Sequence, residues 1–100
     1  MVIIGSHEPP KTRVLVVDDN PDTVESTAML FQSARYETRT ASNGVEAVER
    51  TMIYRPDIVL LDIALPRQDG YAVARTIRKQ PLSPQPVLIA VTGYADKPRL

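Results

Sequence analysis

The chain predicts an α/β fold built on an open, doubly wound parallel sheet, and two observations carry that expectation. Three runs of nearly continuous apolar character, RVLVVD (13–18), IVLLDI (58–63) and VLIAVT (87–92), have the pattern of strands covered on both faces. Between them lie segments with apolar residues at helical spacing, giving the order β-α-β-α-β-α-β. The crossovers are long enough for parallel strands joined right-handedly.

Taken in order, residues 1–12 contain Pro9-Pro10 and no periodicity, and read as a flexible leader. The first strand follows at Arg13. Asn20-Pro21 opens the first helix, because Asn caps free amides and Pro at the first helical position gives up a donor that has no partner there. Val24, Ala28 and Phe31 form the apolar stripe of that helix, widened by Thr27, Leu30 and Ala34. YETRT (36–40) alternates and is rich in β-branched residues, as a half-exposed edge strand would be.

Ser42-Asn43-Gly44 is a turn, after which Val45, Val48 and Met52 mark a second helix ending near Tyr54-Arg55-Pro56. Past the strand at 58–63, Asp69-Gly70 opens a third helix through about Lys79. Arg75, Arg78 and Lys79 suit its negative C-terminal end. Pro81, Pro84 and Pro86 hold a loop before the last strand.

Composition narrows the function classes. One hundred residues at zero formal net charge make one domain with no broad electrostatic attraction for nucleic acid or a membrane surface. The absence of cysteine excludes disulfides and thiolate metal sites. Apolar runs of about five residues are too short to span a bilayer. A cytoplasmic domain is the expectation.

In an open parallel sheet, sites form beyond the carboxyl ends of the strands. Asp18-Asp19 end the first strand, Asp62 lies in the third, and Thr92 ends the fourth. Three carboxylates and a hydroxyl at one rim raise an electrostatic question, since clustered carboxylates repel unless a cation neutralises them. A hard divalent ion answers it, and Mg²⁺ characteristically takes one or two carboxylates together with water and phosphate oxygens. Each residue alone has a plainer role, as a cap, a loop anchor or a strand residue. Their joint placement is what points to chemistry.

The segments VLVVDDNPD, ASNGVEAV, PDIVLLDIALPRQDGYAVARTIR and VLIAVTGYA, in this order, resemble the receiver domain of two-component response regulators and hybrid histidine kinases. The resemblance covers Arg13 to about Ala95. It implies a flavodoxin-like (CheY-like) fold with strand order 2-1-3-4-5 and a phosphoaspartate switch. Asp62 matches the phosphoacceptor, and Asp18 and Asp19 match the acidic pair of the Mg²⁺ site, completed by Asp62 and the backbone carbonyl of Ala64. Thr92 matches the switch hydroxyl. Ala64 and Tyr94 flank the site, where they would influence water access. The implied donor is a phosphohistidine on a histidine kinase or a histidine phosphotransfer domain.

The pattern breaks near the end. Receivers continue into a fifth strand bearing a lysine followed by proline. Lys97-Pro98 stands only five residues beyond Thr92, too near for a parallel crossover. The expectation is a receiver domain over 13–100 that lacks the fifth strand and helix. Its fourth strand would then form an apolar edge prone to self-association. Two other readings compete: a degenerate receiver that oligomerises without phosphorylation, and an aspartate-nucleophile phosphohydrolase. The second calls for an acid/base aspartate two residues past its nucleophile, where Ala64 stands.

Overall fold

A computed structural model describes residues 11–63 and 69–91. Seven elements alternate: β1 (Arg13–Val17), α1 (Pro21–Ser33), β2 (Glu37–Ala41), α2 (Gly44–Tyr54), β3 (Ile58–Asp62), α3 (Gly70–Arg78) and β4 (Val87–Val91). All strand pairs are parallel, in the order β2-β1-β3-β4. The predicted doubly wound α/β sheet is therefore the observed one.

The two central strands are the ones whose sequences are apolar throughout. Val14 to Val17 of β1 are at most 4% exposed, and Val59 to Leu61 of β3 at most 9%. Register sorts their side chains onto two faces, since partners across a parallel ladder point the same way. On one face Leu15, Val17, Val59 and Leu61 meet Ala47 of α2, Val73 and Ile77 of α3, and Leu82. On the other, Val14, Val16 and Leu60 meet Val24 and Phe31 of α1, with Tyr36 and Ile58 alongside.

Local chemistry starts and stops the helices as expected. Asn20, Asn43 and Asp69 are the N-caps of α1, α2 and α3. Asn43 accepts from the Glu46 amide at 2.9 Å, while Glu46 in turn accepts from the amide and hydroxyl of Ser42 at 2.9 and 3.1 Å. Those bonds hold the Glu46 carboxyl below its ordinary pKa. Arg55 ends α2 in the left-handed region at φ 53°, directly before Pro56.

Several side chains depart from the predicted stripes. Val45 is 60% exposed, and α2 instead buries Gly44, Ala47 and Thr51. Thr51 is accommodated because its hydroxyl donates to the Ala47 carbonyl at 2.7 Å. Leu30 is 70% exposed and Ala34 is also exposed, so the stripe of α1 is narrower than predicted. One residue ahead of β1, the Thr12 carbonyl accepts from the Glu37 amide at 3.0 Å.

Among the described residues β4 is the outer strand on its side, and its exposure matches the predicted apolar edge. Val87, Ile89 and Val91 are 57%, 42% and 43% exposed. Leu88 points the other way and packs against the core on the α2–α3 face. Lys97 and Pro98 lie outside the described residues.

Candidate functional site

The site is built where β1 and β3 end side by side. The Asp18 amide donates to the Ala41 carbonyl at 3.1 Å, so the backbone remains in the ladder one residue beyond β1. The chain then reverses sharply. Asp18 Oδ1 accepts from the Asn20 amide at 2.9 Å, and Asn20 Oδ1 accepts from the amides of Asp22 and Thr23 at 2.9 and 3.2 Å. One Asx turn thus aims Asp18 at the rim while α1 begins three residues later. On the neighbouring strand Asp62 closes β3, and the next residue, Ile63, is anchored by its amide donating to the Val91 carbonyl at 3.1 Å.

This placement brings Asp18, Asp19 and Asp62 together. Each offers a carboxylate oxygen, and those atoms all lie within 4.8 Å of one another. Asp18 and Asp62 are partly buried, and Asp19 is exposed. Burial pushes the Asp18 carboxyl above its ordinary 3.8, and the charges of Asp62 and Asp19 push the same way, against the bond from the Asn20 amide. All three groups are hard oxygen donors, the set that a small divalent cation takes. The residues present therefore fit the ion that the sequence leads one to expect. Ala64, Thr92 and Tyr94 lie outside the described residues.

The raised value has a sign for stability. A carboxyl that binds its proton more tightly folded than unfolded contributes stability below its ordinary pKa. That contribution is lost as pH rises through the folded value. At neutral pH without metal, ionised Asp18 is therefore a cost to the fold. Asp18→Asn retains an oxygen for the Asn20 amide and removes the charge. It should raise Tm in chelator at pH 7. Thermal melts at pH 7 and pH 4 check this, with the advantage shrinking at the lower pH. A fall in Tm at pH 7 would refute it.

Gly70, read from sequence only as part of the opening of the third helix, proves to lie against the site. A Cβ there would stand 2.4 Å from the Ile63 Cα and 2.8 Å from the Asp62 carbonyl oxygen. The first turn of α3 thus lies directly against the backbone that carries Asp62. The dipeptide Asp69-Gly70 after an apolar strand was the available signal, but it specifies a helix start and not the neighbour that the helix approaches. A second cleft, at the opposite end of the sheet, is lined by Arg13, Glu37, Arg39, Arg50, Ile53 and Tyr54. Its cations are engaged within the fold: Arg13 and Arg39 lie 5.4 and 5.0 Å from the Tyr54 ring centre, and Arg50 donates to the Thr40 carbonyl.

Comparison with known proteins agrees with the geometry. The DNA-binding response regulator MtrA of Mycolicibacterium smegmatis is 34% identical over 86 residues, covering 86% of this chain and 38% of that protein. Protein Rrf1 of Nitratidesulfovibrio vulgaris is 36% identical over 83 residues, 83% of this chain and 60% of its own length. The chain thus spans less than two thirds of these curated relatives. Among solved structures, the signal receiver domain of a response regulator from Bermanella marisrubri superposes with a TM-score of 0.76 at 28% identity. That match covers 84% of this chain and 70% of the other. The response regulator TrrA from Thermotoga maritima, solved in complex with Mg²⁺–BeF, gives 0.75 at 38% identity, with 84% and 71% covered. The profile of the response regulator receiver domain matches residues 14–100. With four parallel strands in receiver order and an acidic cluster at their carboxyl ends, this chain belongs to the response regulator receiver domain family.

Proposed function

We propose that this chain is the phosphoacceptor of a two-component phosphorelay, with Asp62 as the residue that receives the phosphoryl group. One observation carries the reading: Asp18, Asp19 and Asp62 present oxygens within 4.8 Å of one another at the strand ends. Asp18, Asp19 and Asp62, with the Ala64 carbonyl, would hold Mg²⁺. The metal complex of the 38% identical Thermotoga relative supports that assignment. When bound, the ion supplies positive charge against the transferring oxygens.

The chain's own contribution begins with an Asp62 carboxylate oxygen attacking the phosphorus of a phosphohistidine. The O–P bond forms as the P–N bond breaks, and the imidazole of the donor kinase or phosphotransfer domain leaves with the electron pair. The end of β3 and the first turn of α3 hold that carboxylate in place. Thr92 then donates its hydroxyl to the new phosphoryl group, the switch role that the family resemblance gives it. The event is stoichiometric: the chain accepts a group and is not a turnover enzyme. A cytoplasmic setting belongs to this reading. Among the described residues, no helix is long and apolar enough to cross a membrane.

The test is incubation with a small acyl phosphate, with and without Mg²⁺, read by intact mass. One phosphoryl group should be added only with Mg²⁺, and it should be removed by hydroxylamine, as an acyl phosphate is. No addition, or a hydroxylamine-resistant product, would overturn the reading. A second reading, an oligomerising module indifferent to phosphorylation, is favoured by the exposed row Val87, Ile89 and Val91 of β4. An oligomeric state that never responds to phosphorylation of Asp62 would support it.

A further inference from the structure

Among the described residues β2 is the outer strand beside β1. Successive residues of a strand direct their N–H and C=O groups alternately to its two sides. Glu37 and Ala41 direct theirs toward β1, since the Glu37 amide donates to the Thr12 carbonyl at 3.0 Å and the Ala41 carbonyl accepts from the Asp18 amide at 3.1 Å. Thr38 and Thr40 therefore direct theirs outward. An edge of this kind is a template on which another chain can pair.

The outward carbonyls are taken from within the fold. Arg39 Nη1 donates to the Thr38 carbonyl at 3.3 Å, and Arg50 Nη1 donates to the Thr40 carbonyl. At the two ends of the strand, the Tyr36 amide donates to the Phe31 carbonyl at 2.9 Å and the Ser42 amide to Glu46 Oε1 at 2.9 Å. Glu46 and Arg50 stand one turn apart on α2 and pair at 3.9 Å. One helix thus supplies both the acceptor for Ser42 and the donor for Thr40. The Arg39 guanidinium also lies 5.0 Å from the centre of the Tyr54 ring, which steadies it over the strand. Between those ends, what remains outward is the amides of Thr38 and Thr40, and amides without their carbonyls offer half a ladder.

We propose that Arg39 and Arg50 are a built-in block, holding the carbonyls through which β2 would otherwise pair with β2 of a second copy. Charge adds to the block. In the antiparallel pairing that joins Thr38 to Thr40 of the other copy, Arg39 stands opposite itself, and like charges directly opposite are unfavourable. The block uses no residue of the acidic cluster, so it stands or falls independently of phosphoryl transfer.

Amide exchange at Thr38 and Thr40, followed by NMR against protein concentration, tests it, because association through any other surface leaves these two amides unchanged. In the unsubstituted chain their exchange should be independent of concentration. In Arg39→Ala/Arg50→Ala it should slow by about tenfold or more on going from micromolar to millimolar protein, as both amides enter a new ladder. Adding Thr40→Pro to that variant removes one outward amide without touching the ladder to β1. It should abolish the slowing at Thr38 and return light scattering to that of the unsubstituted chain. Arg39 and Arg50 are both exposed. Should the double variant not fold, Arg50→Ala, which frees the Thr40 carbonyl alone, carries the same test at Thr40. Concentration-dependent slowing in the unsubstituted chain would mean an open edge. That result overturns the proposal, and so does unchanged exchange in the folded variant or association that survives Thr40→Pro.

Discussion

Asp62→Asn should reduce phosphoryl incorporation to background while leaving the domain folded and, without metal, more stable than the parent. The loss follows from chemistry: an amide oxygen is a poor nucleophile toward phosphorus and cannot hold the group as an acyl phosphate. The stabilisation follows from electrostatics. Asp62 is one of the charges that raise the Asp18 carboxyl above its ordinary value, and removing it lets Asp18 ionise at lower cost. The variant should therefore melt higher than the parent in chelator at pH 7, with the difference narrowing as pH falls toward the ordinary carboxylate range. Added Mg²⁺ should raise Tm in the parent and much less in the variant, as linkage requires for an ion that binds the native site. Mass spectrometry and melts with and without Mg²⁺ check all three outcomes. Full labelling of Asp62→Asn would place the acceptor elsewhere.

The acidic half of this site was legible because it depends on strand ends. A run such as VLVV fixes a buried strand, the strand fixes where its last residue emerges, and parallel order places Asp18 next to Asp62. No contact between distant side chains had to be foreseen. The helix stripes were less legible for a physical reason. Periodicity identifies apolar positions but not which layer each will meet, so Leu30 and Val45 read as core and are mostly exposed. Thr51 was invisible for the opposite reason. It is fully buried because its hydroxyl bonds within its own helix, which no apolar pattern records. Thr92 and Ala64, on which the switch reading depends, lie outside the described residues and rest on the family resemblance alone.

Gly70→Ala separates the two scales on which this chain can be read. At an early helical position, intrinsic propensity favours alanine over glycine by up to about 1 kcal/mol, so the local expectation is a more stable protein. The tertiary contact predicts the reverse. The added carbon would meet the Ile63 Cα at 2.4 Å, the Asp62 carbonyl oxygen at 2.8 Å and the Ile63 carbonyl carbon at 3.1 Å. All three are backbone atoms at the end of a buried strand, so no rotamer can relieve the overlap. α3 must back away or the 62–63 peptide must turn. Overpacking of this kind costs about 1–3 kcal/mol, which exceeds the propensity gain. The net expectation is a lower Tm together with slower labelling of Asp62, because the displaced peptide is the one that aims its carboxylate. Asp69→Ala is the control. It removes the cap that accepts from the Tyr71 amide at 2.9 Å and should cost about 1 kcal/mol, with labelling largely retained. If Gly70→Ala matched the parent in both melting and labelling, the close approach of α3 to the end of β3 would not be a constraint on the site.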